Sequence, residues 1–362
     1  MIKNVHIWIF SYLADRIPKG KSENQEHILF CLCDHFEPFW GEGYKERLAI
    51  VKSWVESYPK IADKHRDGDG HPPRHTFFYA AEQYKPEYLD LLAELCREGY
   101  GEVEIHLHHD NDTSENLRRT LIEFKETLAF RHELLSQDRN TGEIRYGFIH
   151  GNWALDNSRR DGRWCGVNNE LQVLRETGCY ADFTYPSAPS DTQTRKINSI
   201  YYALDDPDKP KSHDIGVDVK VGGKPWGDLM IIQGPLALNW RNRKFGIFPR
   251  IENGAVGSGM IRPSPDRIDL WIKQGIHVKG RRNWIFVKVH CHGAKPRDMN
   301  FLLNQGLDSM FTYLGHRYND REKYFLHYVT AREMYNIIKA AEAKRTGNPD
   351  DFRDFVLVKN WS

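Results

Sequence analysis

The sequence has no apolar run long enough to cross a bilayer, so a transmembrane helix is not its organising feature. It has no excess of charge either: 51 Lys and Arg stand against 50 Asp and Glu. A balanced chain has no counterion-release drive toward nucleic acid and no polybasic anchor for a membrane surface. Among its six cysteines, Cys31, Cys33, Cys96, Cys165, Cys179 and Cys291, there is no CxxC pair and no zinc-ribbon spacing. Cys31 and Cys33 lie two apart in an apolar run and so share one side of a strand. Buried free thiols in a reducing compartment are the expectation. No repeat, low-complexity tract or Ser/Gly linker divides the 362 residues. The apolar patch at 5–13 is followed by Asp15, Arg16 and Lys19 rather than by small residues, so it does not read as a secretory signal, and a cytoplasmic protein is expected.

What is present fits a folded enzyme. Apolar residues make up 40% of the chain and aromatics 12%, against disorder. The length suffices for a large core without a disulfide or structural metal. Ten Trp and 17 Tyr suit stacking on sugar rings as well as an ordinary aromatic core. Short apolar runs alternate with amphipathic stretches, the pattern of βα units and a parallel sheet. Strands are expected over 27–33, 74–80, 101–107, 146–149, 181–185, 229–232, 284–289 and 355–358. Helices are expected over 47–58, 85–98, 113–137 with Ser114 as cap, 168–176, 265–273, 299–313 and 331–344. Residues 198–258, rich in Gly and Pro, are expected to be irregular apart from the strand at 229–232. The expected division is one domain, 1–362, with an irregular insertion at 190–260.

Four of these strands end in polar clusters: Asp34-His35-x-Glu37, His106-x-His108-His109-Asp110-x-Asp112, His150-Gly151-Asn152-Trp153 and His290-x-His292. Parallel α/β enzymes gather catalytic groups at the carboxyl ends of strands, where the βα loops converge. Seven of the 17 histidines fall in these clusters, which scattered surface histidines would not do. Residues two apart in a strand share a face, so His106 pairs with His108 and His290 with His292, while Cys291 turns into the core. A helical turn after His108 brings Asp112 to the same side. Imidazoles with carboxylates suit Zn²⁺ first, then Co²⁺, Ni²⁺, Fe²⁺ or Mn²⁺. Each cluster alone has a plain structural reading: an HxH as a hydrogen-bonded feature, Asp34 as a helix cap, Trp153 as a core anchor. Their recurrence at four strand ends favours one shared site.

With these clusters in order, the chain resembles the polysaccharide deacetylase (NodB-homology) family. The resemblance runs over roughly residues 27–340. It implies a distorted TIM-like α/β barrel of the (β/α)7 type and metal-dependent removal of acetyl groups from a polysaccharide or amino sugar. Asp34 matches the family's catalytic base, and His35 or Glu37 stands for the second acid, a metal ligand. Glu104-Ile105-His106-Leu107-His108 fits the second motif, with Asp112 where a second His is usual and His106 as a substitute ligand. The segment 148–153 takes the place of the family's Arg-x-Pro-Tyr-Gly groove motif and departs from it. Val287-Lys288-Val289-His290 matches the strand that ends in a catalytic His. The implied ligands are thus drawn from His35, Glu37, His106, His108 and Asp112. Asp34 would be the base, and His290, held by His292, would protonate the departing amine. Substrate contacts are expected from His150, Asn152, Trp153, Asp156 and His292. The departures mark a divergent branch rather than a typical chitin or peptidoglycan deacetylase.

Two other readings use the same residues. A glycoside hydrolase on a related barrel needs two carboxylates across the bond and no metal, from Asp34 with Glu37 or Asp110 with Asp156. A carbohydrate-binding homologue without chemistry would account for Asp112 and the altered groove motif.

Overall fold

The computed structural model describes residues 3–15 and 25–360. Arg16 and Lys19 lie outside the described residues. The apolar runs become strands β1 (Glu26–Phe36), β2 (His75–Ala80), β3 (Gly101–Leu107), β4 (Ser136–Asp138), β5 (Ile144–His150), β6 (Cys179–Asp182), β7 (Ile200–Ala203), β8 (Val217–Asp218) and β9 (Leu229–Ile232). Next come β10 (Ala237–Lys244), β11 (Phe248–Glu252), β12 (Ala255–Val256), β13 (Trp284–Cys291), β14 (Tyr324–Tyr328) and β15 (Leu357–Lys359). The helices are α1 (Ile9–Asp15), α2 (Tyr44–Ala62), α3 (Pro86–Arg97), α4 (Ser114–Glu126), α5 (Glu170–Thr177), α6 (Pro265–Lys273), α7 (Pro296–Phe301), α8 (Leu307–Tyr318) and α9 (Ala331–Glu342).

The main sheet runs β12-β13-β1-β2-β3-β5-β6-β9-β7-β8. Every ladder from β12 to β9 is parallel, and β7 and β8 finish it antiparallel. β14 runs parallel beside the first half of β1. The result is a mixed α/β fold with a large, mostly parallel central sheet and flanking helices, compatible with a barrel-like architecture. No helix among the described residues is long and apolar enough to cross a membrane.

Side-chain alternation divides the core in two. Ile28, Phe30, Leu32 and Phe36 of β1 pack outward against Trp54 and Tyr58 of α2 and the cluster that extends to α8. Leu29, Cys31 and Cys33 face the other way, into a cluster that includes Met334, Ile337 and Ile338 of α9. The two thiols are 3.7 Å apart on that face, and all six cysteines are buried and free. A third cluster joins Trp8 and Tyr12 at the amino end to Leu236–Leu238.

The elements differ from expectation in several places: β4 and β14 were not expected, and the helix expected at 299–313 is split into α7 and α8 by a π-turn at Leu302–Gly306. Residues 198–258 are not irregular: beside the expected strand at 229–232, which is β9, they supply β7, β8, β10, β11 and β12, including the antiparallel β10–β11 pair. The helix expected at 113–137 ends at Glu126 and passes into a π-turn at Thr127–Arg131; its cap is Thr113, whose hydroxyl accepts from the Asn116 amide at 3.2 Å. β1 reaches Phe36, three residues past the expected end, before Pro38 stops it. That extension decides which way the first polar cluster faces.

Candidate metal centre

Because β1 is still extended at Asp34 and His35, these neighbours point to opposite sides of the sheet. His35 continues the row of Cys31 and Cys33. Its ring lies 5.1 Å from that of His106, 5.7 Å from His290 and 4.7 Å from His292, on which it stacks. His106 ends the inward row of β3, with the His108 ring 4.6 Å away. Trp153, half-buried, sits with its ring 6.0 Å from both His35 and His292. Three strand ends and the β5 loop therefore bring His35, Glu37, His106, His108, His290, His292 and Trp153 together, and both expected HxH pairs share a face.

Glu37 is the hub. Its Oε1 is 3.1 Å from His106 Nε2 and 3.5 Å from His108 Nε2, while Oε2 accepts from the Trp40 indole at 3.2 Å. His106 Nδ1 is 2.8 Å from the Ile149 carbonyl, which can only accept. The Nδ1 proton is thereby fixed, and Nε2 is turned to Glu37. His108 is held likewise by Glu82, whose Oε1 is 2.7 Å from Nδ1. Two imidazole nitrogens thus aim at one carboxylate oxygen, an arrangement that a proton or a cation between them satisfies.

Burial, with the rings of His292, His106 and His290 and the ammonium of Lys288, holds His35 well below the usual histidine range. Burial, then Lys288 and His292, does the same to His290. Burial lowers His292 as well, against the carboxylates of Glu37 and Asp34. Burial alone raises Glu37, but the His106 hydrogen bond and the charges of His106, His292 and His108 outweigh it and bring it to about 2. Burial lowers His108, yet Glu82 and Glu37 more than offset this and raise it. Neutral His35 beside an ionised Glu37 is donor chemistry that a divalent metal requires.

No protein-family model and no curated protein matches the chain.

Buried His, Asp, Glu and Cys groups that can hold a metal ion occur at four places among the described residues, and His35, Glu37 and His106 form one, with ligand atoms within 4.8 Å of one another. Ligands bound to Zn²⁺ at about 2.0–2.1 Å stand roughly 3.3 Å apart in a tetrahedron. The 3.1 and 3.5 Å contacts around Glu37 bracket that spacing.

Four expected members of the site lie elsewhere. Asp34 faces the helix side: it accepts from the Gly293 amide at 2.6 Å and contacts His75 Nε2 at 3.0 Å, beside Cys291. Asp112 leaves His108 because the segment after β3 does not continue as a helix there. It lies 3.2 Å from His109 and accepts from the Thr113 and Asn116 nitrogens at 2.7 Å. His150 belongs to the outward row of β5 with Tyr146 and Phe148 and faces Glu170. Asp156 is wholly buried and accepts from the Ser212 amide at 2.6 Å, so it cannot touch a substrate. Asn152, half-buried, occupies the left-handed region at φ 55° beside Trp153.

These placements undo both carboxylate pairs that a glycoside hydrolase would use. Asp34 and Glu37 do not share a face, and Asp110 accepts from the Trp164 amide while Asp156 is sealed in the Ser212 loop. The sequence reading missed Glu82, which follows β2 at the same edge; its signal was a strand end with a carboxylate but no histidine. It also missed Lys288, buried on the inward row of β13, whose ammonium donates to the Phe183 and Tyr185 carbonyls at 2.6 Å.

Proposed function

We propose that the chain is a metal-dependent hydrolase that removes acyl groups from a carbohydrate, acting from the carboxyl edge of a (β/α)7-type barrel in the manner of a divergent polysaccharide deacetylase. The observation that carries the proposal is the pair of fixed imidazoles, His106 and His108, aimed at Glu37 beside neutral His35. Three of His35, Glu37, His106 and His108 would hold the metal and leave one position open for water, and Zn²⁺ is the first choice for these donors. When bound, the metal supplies Lewis-acid polarisation of a carbonyl and draws the pKa of water toward neutrality.

The remaining chemistry belongs to the chain. His290 and His292 are the neutral rings next to His35, placed to carry a proton from the attacking water to the departing amine or alcohol. Trp153 offers a flat, partly exposed face for a sugar ring. Asp34 acts through Gly293 and so positions His292 rather than serving as the base.

Acetate release from N- and O-acetylated saccharides by the Zn²⁺-loaded protein tests this reading. The expected result is turnover abolished by chelator, restored by Zn²⁺, and reduced at least about 10²-fold in Glu37→Gln and His290→Ala. Metal bound at His35 and Glu37 without acetate release would overturn the deacetylase assignment and favour a binding protein.

A further inference from the structure

A second cluster lies behind the first, on the outward face of the sheet. His109 follows β3, His150 ends β5, Cys165 sits in the long loop after β5, and Glu170 opens α5. One ligand atom from each lies within 4.8 Å of all the others. The side chains of His150 and Glu170 are fully buried, Cys165 is buried, and the side chain of His109 is 7% exposed. We propose that His109, His150, Cys165 and Glu170 form a closed, four-ligand structural site for a borderline-soft divalent metal of the Zn²⁺ class. The proposal does not rest on the hydrolase reading.

Three observations point to a ligand there. First, His150 Nδ1 lies 2.6 Å from the Gly151 carbonyl, which fixes its proton, and the opposite Nε2 is buried with no hydrogen-bond partner. An unpaired imidazole nitrogen in a dry interior is costly unless something occupies the space it faces. It faces Glu170 Oε1 at 3.5 Å, and His109 Nε2 faces the same oxygen at 3.2 Å. Second, Cys165 Sγ accepts from two backbone amides, Asn157 at 3.2 Å and Val167 at 3.4 Å, and lies 3.3 Å from Glu170 Oε2. The two amides hold the sulfur in place beside Glu170; burial and the Glu170 charge push the free thiol up, so its proton leaves only as a cation binds. Third, the charges balance. One thiolate and one carboxylate neutralise a divalent cation in a site that only His109 opens slightly to solvent, with the thiol proton released on binding.

Four protein ligands leave no open position, which marks a structural rather than a catalytic ion. The site would staple a loop that is otherwise hard to hold. Asn152, Trp153, Asp156, Asn157 and Trp164 all have positive φ. A Cβ on Gly166 would come within 2.6 Å of the Asp112 amide nitrogen, which itself donates to the Cys165 carbonyl at 2.9 Å. The staple grips this loop on both sides of Trp153 and so fixes the ring that faces His35 and His292.

The competing arrangement is metal-free. A protonated His109 between Asp112 and Glu170, with the Cys165 thiol donating to Glu170, would also satisfy these groups. Full-length protein refolded or expressed with Co²⁺ as probe separates the two. The expected result is a near-ultraviolet sulfur-to-cobalt band in wild type. It should vanish in Cys165→Ser, together with about one equivalent of metal per chain, and persist in Cys291→Ser and Glu37→Gln. X-ray absorption of the Zn²⁺-loaded wild type should find one sulfur at about 2.3 Å, which needs no variant to fold. No sulfur ligand in wild type, or a band that survives in Cys165→Ser, would overturn the proposal.

Discussion

Asp34 and His35 are consecutive, both fully or nearly buried, and have unrelated tasks. Asp34 ties the Gly293 amide and His75 to β1, while His35 enters the metal group. The two roles separate by measurement. Asp34→Ala strands two buried donors, each costing about 1–3 kcal/mol. We therefore expect a clear fall in the denaturant midpoint. Lost turnover at an unchanged midpoint would return Asp34 to the chemistry. Gly293→Ala should act in the same direction, because its Cβ would lie 2.1 Å from Asp34 Oδ2 and 2.5 Å from the Trp54 ring. Glu82 is a residue-scale test of the opposite kind. It touches no proposed metal position, yet it fixes the His108 tautomer. Glu82→Gln should weaken metal affinity about 10–100-fold with little effect on stability, as read by competition with a chelating dye. Unchanged affinity would leave His108 outside the ligand set.

At the scale of elements, the strand ends were the most legible feature. His35, His106, His108, His290, His292 and Trp153 converge because apolar runs of the right length announce their own carboxyl ends. Which face each residue takes was not legible, since it depends on where extension stops, and the hydrophobic pattern does not mark that. β1 carries Asp34, His35 and Phe36 beyond its expected end, and this extension turned Asp34 outward. His150 and Asp156 were misplaced for a related reason. β5 retains strict alternation to its last residue, and the loop beyond folds back through left-handed positions that no local signal announced. Apart from β9, the strands of residues 198–258 were hidden because they are two to eight residues long, and β10 exposes Trp240 and charged neighbours like a loop. The start of α9 follows a more readable rule. Thr330 and Glu333 form a reciprocal capping box, and the Thr330 hydroxyl also reaches Glu102 at 3.0 Å. Thr330→Ala should destabilise the protein by about 1–2 kcal/mol, and Thr330→Ser should recover most of it. Equal midpoints for wild type and Thr330→Ala would show that the buried ion pairs of Glu333 hold the helix start without the cap.

Across the whole molecule, the two ends of the sheet are built from different electrostatics. The amino end is closed by α9 and a buried network in which Arg332 meets Glu102 at 2.8 Å and Arg353 meets Glu333 at 2.9 Å and Asp67 at 3.2 Å. The carboxyl end and its loops hold several imidazoles, His35, His290 and His292 among them, that burial keeps neutral. Beyond the metal groups the clearest is His213, whose Nε2 meets the Tyr185 hydroxyl at 2.7 Å while Nδ1 has no hydrogen-bond partner. Burial, then the charges of Lys211 and His150 against that of Glu170, lowers it to about 3. The unfolded chain titrates near 6.5. Below that value the unfolded state binds a proton that the folded state refuses, so stability falls as pH drops. The contribution is complete above about pH 6.5 and is lost progressively toward about pH 3. Between about pH 7 and pH 5 it amounts to roughly 2 kcal/mol from this group alone. His213→Gln, which keeps a polar partner for Tyr185 but cannot titrate, should flatten the wild-type decline in unfolding free energy by about that amount. Parallel pH profiles for the two proteins would mean that His213 takes up its proton within the folded state.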